Sequence, residues 1–328
     1  MKILVTGASG FIGSHFVKHM LAEDDKCIVV GLVRNSDQKN QKRLQSILGN
    51  ERLNIVYGDL LQDISGISEG CDVVVNFAAK TFVDHSIRDP WPFIDSNIVG
   101  TYKLLEDARR NGVKRFIQIS TDEVYGAILE GAYTEDARIN PTNPYAAAKA
   151  GADALVVSYT HTFGLWTAVT RTENNYGPFQ HPQKVFPTFV KALLAGKKLP
   201  IYGDGRHRRQ WLWVGDHCAA VALLVKADVE PGQIFHVAGS QELENLELAK
   251  NIIWEFDEFV QMGIYKLRQP WQERIEFWND HDIRPGHDRR YALVCDKMKK
   301  LGWAPLVGLD SGIRAAVRWY VENRMWLL

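Results

Sequence analysis

Tyr145 and Lys149 stand four residues apart at the start of a predicted helix, so their side chains share one face. A free phenol, with a pKa of about 10, is a poor base at neutral pH. A neighbouring ammonium stabilises the phenolate and lowers that value, as does the positive charge of an oxidised nicotinamide. A phenolate placed there takes a hydroxyl proton while hydride leaves the same carbon. The spacing alone arises often by chance. It gains weight from the segment upstream, Ile119-Ser120-Thr121-Asp122-Glu123-Val124-Tyr125-Gly126, which reads as a strand ending in a hydroxyl and two acids. Thr121 is placed to hydrogen-bond a substrate hydroxyl. An isolated Asp-Glu pair reads best as a solvated turn. Beside a Tyr/Lys pair, Asp122 and Glu123 suit an elimination: one carboxylate takes a carbon-bound proton and one carboxylic acid protonates the leaving hydroxyl.

Hydride removal needs an acceptor. Gly7-Ala8-Ser9-Gly10-Phe11-Ile12-Gly13 follows a first strand and opens a helix. Gly7, Gly10 and Gly13 suit a tight turn, close backbone approach to a pyrophosphate, and helix packing on the strand. The helix opening at Phe11 and Ile12 offers amide donors and a favourable dipole. NAD binders usually carry an acid at the end of the second strand. That end here reads Val33-Arg34-Asn35-Ser36, with no acid. Arg34 pairing with a 2′-phosphate favours NADP; a solvated loop charge, or stacking on the adenine of either cofactor, is the alternative. The reading is NAD or NADP, leaning to NADP. Asp59 and Leu60, after the third strand, are placed to meet the adenine, and Asp59 reads equally well as a turn cap.

These residues need a scaffold. Candidate strands are Lys2–Thr6, Cys27–Val33, Leu53–Tyr57, Val73–Phe77, Phe116–Ser120 and Thr167–Thr170, with helices at Ile12–Leu21, Asn97–Asn111 and Pro144–Phe163. Runs such as Val73-Val74-Val75 suit strands buried on both faces. The alternation predicts an α/β fold, a Rossmann-type doubly wound parallel sheet with a smaller mixed α/β lobe. Residues 1–175 form the expected dinucleotide-binding domain, with 210–238 returning to it; 176–209 and 239–328 form the expected smaller lobe, and the groove between them is the expected ligand site.

In 328 residues, 46% are apolar and 24% charged, and the net charge is zero. That argues against nucleic acid as partner while allowing a local basic pocket. Cys27, Cys71, Cys218 and Cys295 have neither pairing nor metal-ligand spacing, which points to free thiols and a cytoplasmic setting with no metal. No apolar run approaches the roughly 18 residues of a membrane span, and Met1–Gly7 reads as a strand rather than a signal peptide.

Together these motifs resemble the extended short-chain dehydrogenase/reductase family, and within it the nucleotide-sugar 4,6-dehydratases acting on dTDP-glucose and related sugars. The resemblance spans nearly the whole chain, through Asn97-Ile98-Val99-Gly100-Thr101, Thr121-Asp122-Glu123, Asn143-Pro144-Tyr145, Asn174-Asn175-Tyr176-Gly177-Pro178, Tyr202-Gly203-Asp204-Gly205, Arg209 before Trp211, and Arg284-Pro285-Gly286-His287. It implies that Tyr145 takes the C4 hydroxyl proton as hydride leaves C4, that Glu123 takes the C5 proton while Asp122 protonates the departing C6 hydroxyl, and that hydride returns to C6. It adds Ala78, Ala79, Lys80 and Asn97 to the cofactor contacts. It places Asn174 and Lys184 near the phosphates, Arg209 on the pyrophosphate, and Asn245 and His287 near the nucleotide end. Taken singly, Asn174 reads as a turn residue, Lys184 as solvated, and Arg209 as part of a solvated basic run. A homodimer through the helices at 97–111 and 144–163 is implied too.

The chain departs from the family in Lys80-Thr81-Phe82-Val83-Asp84-His85, where Glu-Ser-His-Val-Asp-Arg is usual, and at Gln210 and Ile283, where Asp is usual. These changes bear on substrate identity. The rivals are a 4-epimerase, which needs no acid pair; a decarboxylase, for which Lys80 or His85 would clamp a carboxylate; and a non-catalytic dinucleotide sensor, which has no use for Tyr145 and Lys149.

Overall fold

The structure, a computed structural model, describes residues 1–35, 41–261, 270–279, 284–285 and 287–328. Ser36, Ile283 and Gly286 lie outside the described residues. Seven strands form one parallel sheet: β1 (Lys2–Thr6), β2 (Ile28–Val33), β3 (Leu53–Tyr57), β4 (Val73–Asn76), β5 (Arg115–Thr121), β6 (Trp166–Thr172) and β10 (Gln233–Val237). Their order is β10-β6-β5-β4-β1-β2-β3. The chain runs outward from β1 in both directions, so the switch point lies between β1 and β4, where α/β folds bind ligands beyond the strand ends. Parallel strands buried on both faces need apolar side chains throughout, and Val73, Val74 and Val75 are each at most 2% exposed.

Helices cover both faces. Helix α1 (Phe11–Glu23) and a later helix, α7 (Val214–Lys226), share a core of Phe16, Val17, Cys218 and Val221 on one side. On the other, α4 (Gly100–Arg110) and α5 (Pro144–Phe163) bury Leu104, Leu105, Val156 and Tyr159.

Three differences from the sequence reading have local causes. Strand β5 runs one residue further, so Thr121 is its last residue and Asp122 and Glu123 open a 3₁₀ turn, Asp122–Tyr125, whose N-cap is Thr121. The predicted helix Asn97–Asn111 begins earlier, as α3 (Trp91–Ile94), and passes through a π turn at Asp95–Val99 before α4. Such wide turns tend to mark functional positions, and this one carries Asn97. The seventh strand, β10, was not among the predicted strands.

Between β6 and α7, and again after β10, the chain builds a second set of elements: α6 (Val185–Leu194), α8 (Asn245–Gln261) and α10 (Leu309–Glu322) around small sheets. One sheet has the order β11 (Glu242–Glu244), β9 (Arg208–Trp213), β7 (Asn174–Tyr176); the other pairs β12 (Ile275–Trp278) with β8 (Leu199–Tyr202). Tyr176, Phe186, Trp211, Leu248 and Tyr320 form their core. Among the described residues the four cysteines are buried and free, and no helix is long and apolar enough to cross a membrane.

Candidate active site

The glycine loop follows β1 at the switch point. Gly7 has φ +61°, and a Cβ there would lie 2.9 Å from the Ala78 nitrogen, so only glycine lets β1 turn against the end of β4. A Cβ on Gly13 would collide with the Gly7 carbonyl, so α1 packs onto the loop only without one. Gly10 caps α1, no side chain hydrogen-bonds to that cap, and the first turn around Phe11, Ile12 and Gly13 holds no acid. A bare helix N-terminus behind a loop with no room for side chains fits a dinucleotide pyrophosphate.

The cofactor-side residues take different places. Ala78 donates its N–H to Thr6 Oγ1 at 3.2 Å, joining the β4 end to β1. Asn97, 1% exposed, grips the backbone of one residue from both sides: its Oδ1 accepts from the Lys80 N–H at 2.8 Å, and its Nδ2 donates to the Lys80 carbonyl at 3.0 Å. Asn97 thereby shapes the loop through Ala79 and Lys80, while the Lys80 residue is exposed. Arg34 is exposed at the end of β2. Asp59 Oδ1 accepts the Leu61 N–H at 3.0 Å, so it closes its turn, and Leu60 is buried beneath it.

The reactive groups converge above β5. Thr121 Oγ1 donates to Asp122 Oδ1 at 3.0 Å and accepts the Glu123 N–H at 3.3 Å, and its hydroxyl favours the ionised form of the Tyr145 phenol. Thr121 thus stands between the phenol and the acid turn. Asn143 caps α5 by accepting the Ala146 N–H at 2.9 Å and donates to Glu123 Oε2 at 3.3 Å. With Pro144 in the first turn, the cap fixes where the helix begins and so where Tyr145 points. Tyr145 is 8% exposed, and its own N–H donates to Ser86 Oγ at 3.2 Å.

Electrostatics separate the two acids. Burial and the adjacent Glu123 charge push Asp122 up to about 7. Burial also raises Glu123, against the pull of Arg284, Arg209 and Lys184. Lys149, 3% exposed, donates to the Ile119 carbonyl at 2.5 Å, and burial lowers it to about 8. The phenol departs from the sequence reading. Burial, then the charges of Glu123, Asp122 and Asp153, drive the Tyr145 pKa upward, while the Lys149 nitrogen bonds the Ile119 carbonyl.

The second set of elements supplies cations. Lys184 donates to the Thr81 carbonyl at 2.9 Å, lies 4.4 Å over the Phe82 ring, and is lowered to about 8 by burial. Arg209, 6% exposed, donates to the carbonyls of Arg208 at 2.7 Å and Asp288 at 2.8 Å, which hold its charge toward the acid turn. The nitrogen that bonds Asp288 is also 3.3 Å from His287 Nε2, and burial among these arginines lowers the His287 pKa. His287 stacks on His207, centroids 4.0 Å apart, and the Asn245 N–H donates to the His207 carbonyl at 2.9 Å. Asn174 lies in β7 opposite Trp211, away from these bonds. Arg284, which pairs with Asp84 at 2.6 Å and bears on Glu123, was not assigned a role from sequence, nor was Asn143. A cap preceding Pro144 was a legible signal; the Asp84–Arg284 pairing across 200 residues was not.

A glycine loop at the switch point and an acid–base cluster above β5 mark the extended short-chain dehydrogenases/reductases as the class of this protein. The comparisons narrow the class. The chain belongs to the GDP-mannose 4,6 dehydratase family, matched over residues 4–316. It is similar to a dTDP-glucose 4,6-dehydratase of Actinoplanes sp., 41% identical with 99% of each chain covered. It superposes on DesIV, a dTDP-glucose 4,6-dehydratase of Streptomyces venezuelae solved with NAD and dTDP bound, at TM-score 0.88, 40% identity, and coverage of 99% of this chain and 98% of that one. A UDP-glucuronic acid 4-epimerase of Bacillus cereus, solved with its substrate and NAD, reaches TM-score 0.89 at 27% identity, covering 99% of this chain and all 100% of that one. The backbone is therefore common to dehydratase and epimerase, and the fold alone does not discriminate between them.

Proposed function

We propose that this protein is a nucleotide-sugar 4,6-dehydratase that converts dTDP-glucose or a closely related sugar nucleotide to its 4-keto-6-deoxy product. The observation that carries the reading is the junction at Thr121, whose hydroxyl binds the carboxyl of Asp122 and bears on the phenol of Tyr145, with Glu123 alongside. A bound nicotinamide dinucleotide supplies reversible hydride acceptance, and the glycine loop and the Asn97-held loop would hold it. Tyr145 takes the C4 hydroxyl proton, oriented through Thr121. Oxidation at C4 acidifies the C5 hydrogen, which Glu123 removes as a carboxylate supported by Lys184, Arg209 and Arg284. Asp122, held near neutral pH by burial and its neighbour, donates a proton to the C6 hydroxyl, which leaves as water. Lys149 keeps a positive charge beneath the phenol. Arg209, Lys184 and Asn174 meet the diphosphate, with Asn245 and His287 toward the nucleoside. In this reading the β-sheet domain serves the cofactor and the smaller lobe the nucleotide.

The finer choice of cofactor is NADP. Arg34 offers a cation at the end of β2, where Val33 and Asn35 offer no carboxylate to ribose hydroxyls. One experiment tests both statements. Incubation with a panel of nucleotide sugars and either cofactor, followed by mass analysis, should show loss of one water from a dTDP-hexose, faster with NADP. Isomerisation without water loss would make the protein an epimerase. Equal or better turnover with NAD would refute the cofactor choice alone.

We also infer a homodimer. The helix run from α3 to α4 exposes Trp91 (64%), Ile94 (36%) and Tyr102 (48%), and α5 lies beside it. Isolated exposed apolar residues are ordinary, but this row lies along one helix run. Light scattering should give twice the chain mass, and a stable monomer would refute the inference.

A further inference from the structure

We propose that the buried Asp153–Arg171 pair is a positioning device behind Lys149: it keeps the lysine charged and locks it to the turn that carries Asp122 and Glu123. The inference rests on the reading of Lys149 as the charge beneath Tyr145. Asp153 follows Lys149 by one turn of α5, and the two are 2% and 3% exposed. Arg171, on β6 and 4% exposed, donates from Nε to Asp153 Oδ2 at 3.0 Å. Another nitrogen of the same guanidinium donates to the Tyr125 hydroxyl at 2.7 Å, and the guanidinium lies 4.7 Å over that ring. Tyr125 closes the 3₁₀ turn whose first two residues are the acids. Its hydroxyl also meets His236 Nε2 at 2.7 Å, and His236 Nδ1 meets the Val294 carbonyl at 2.9 Å. One guanidinium therefore ties the Tyr/Lys helix to the acid turn and, through Tyr125, to β10.

The charges alternate along this line. A buried ammonium loses its proton unless an opposite charge stays close. For Lys149 that charge is Asp153. Asp153 is itself raised by burial and held down first by Arg171, then by Lys149. The other titratable groups along this line are Tyr125 on the turn, His236 on β10 with Glu135 behind it, and Tyr145, on which the Asp153 charge bears. Burial keeps His236 neutral. Two apolar side chains of similar volume would pack the same space and are often more stable than a buried pair. Packing alone therefore gives no reason for the pair.

The test is a titration of Lys149 by the ¹³Cε shift in lysine-labelled full-length protein, which needs no turnover. In the unaltered protein Lys149 should titrate near 8. Asp153→Asn should lower that midpoint by about one pH unit, a tenfold change in the ammonium-to-amine ratio, with kcat above pH 8 falling by a similar factor and KM little changed. Arg171→Lys should retain the original midpoint. Arg171→Met leaves Asp153 buried without its cation; if it fails to fold, the double variant Arg171→Met/Asp153→Asn, which leaves neither charge stranded, should show the lowered midpoint. An unmoved Lys149 midpoint in Asp153→Asn or in the double variant overturns the proposal. Failure of the unaltered enzyme to release water would defeat the dehydratase reading instead, and the titration would still decide the role of the pair.

Discussion

Glu123→Gln is expected to abolish water loss while C4 oxidation continues. Glutamine matches the shape of glutamate and still accepts from Asn143, so the turn and the α5 cap stay in place. It cannot take the C5 proton. Removing a positioned general base typically costs about 10²–10⁴ in rate, and here the cost falls on one step. The sugar should accumulate as its 4-ketone with the C6 hydroxyl intact, seen by borodeuteride trapping and mass analysis in a rapid-quench experiment. The substitution also acts on Asp122. Its donor form is present below about 7 and is lost as pH rises through that value. Glu123 is the charge that, after burial, holds Asp122 up, so glutamine lets it fall and any residual dehydration should decline at lower pH than in the unaltered enzyme. Full-rate water loss by Glu123→Gln would show that another group takes the C5 proton.

Much of this site was legible in the residues because its parts are local. The Gly7–Gly13 loop, the Thr121–Glu123 triplet and the Tyr145/Lys149 spacing each sit within a few residues, and the strand or helix that presents them is set by the adjacent apolar run. What the sequence could not supply was sign and distance. The i, i+4 rule puts Lys149 and Tyr145 on one face, yet the lysine nitrogen bonds the Ile119 carbonyl while three carboxyl groups press on the phenol. Both facts depend on the ends of other strands. Arg171 looks like any residue of a buried strand until β6 is laid beside β5 and α5. The π turn at Asp95–Val99 was hidden because helical spacing continues through it, and β10 because it joins the sheet only after the chain has built part of the second lobe.

Tyr145→Phe is expected to stop the reaction one step earlier, with C4 oxidation slowed by about 10²–10⁴ and no 4-ketone to trap. The change removes one oxygen. The ring keeps its edge contact with Phe93, centroids 6.4 Å apart, and the backbone N–H still donates to Ser86 Oγ, so folding should be unaffected. The chemical effect is large because the protein by itself favours a protonated phenol: burial and the charges of Glu123 and Asp122 all raise its pKa. A base so held acts only when opposing positive charge is near, which Lys149 and an oxidised nicotinamide would supply. It follows that the two substitutions should not be additive. Glu123→Gln removes a charge that opposes phenolate, so it should ease C4 oxidation even as it blocks elimination, whereas in the Tyr145→Phe background the same change should have no oxidation to ease. Single-turnover trapping of the two single variants and the double variant measures this directly. If Tyr145→Phe oxidised C4 within tenfold of the unaltered rate, the phenol would not be the base, and the order of steps built on the Thr121 junction would fall with it.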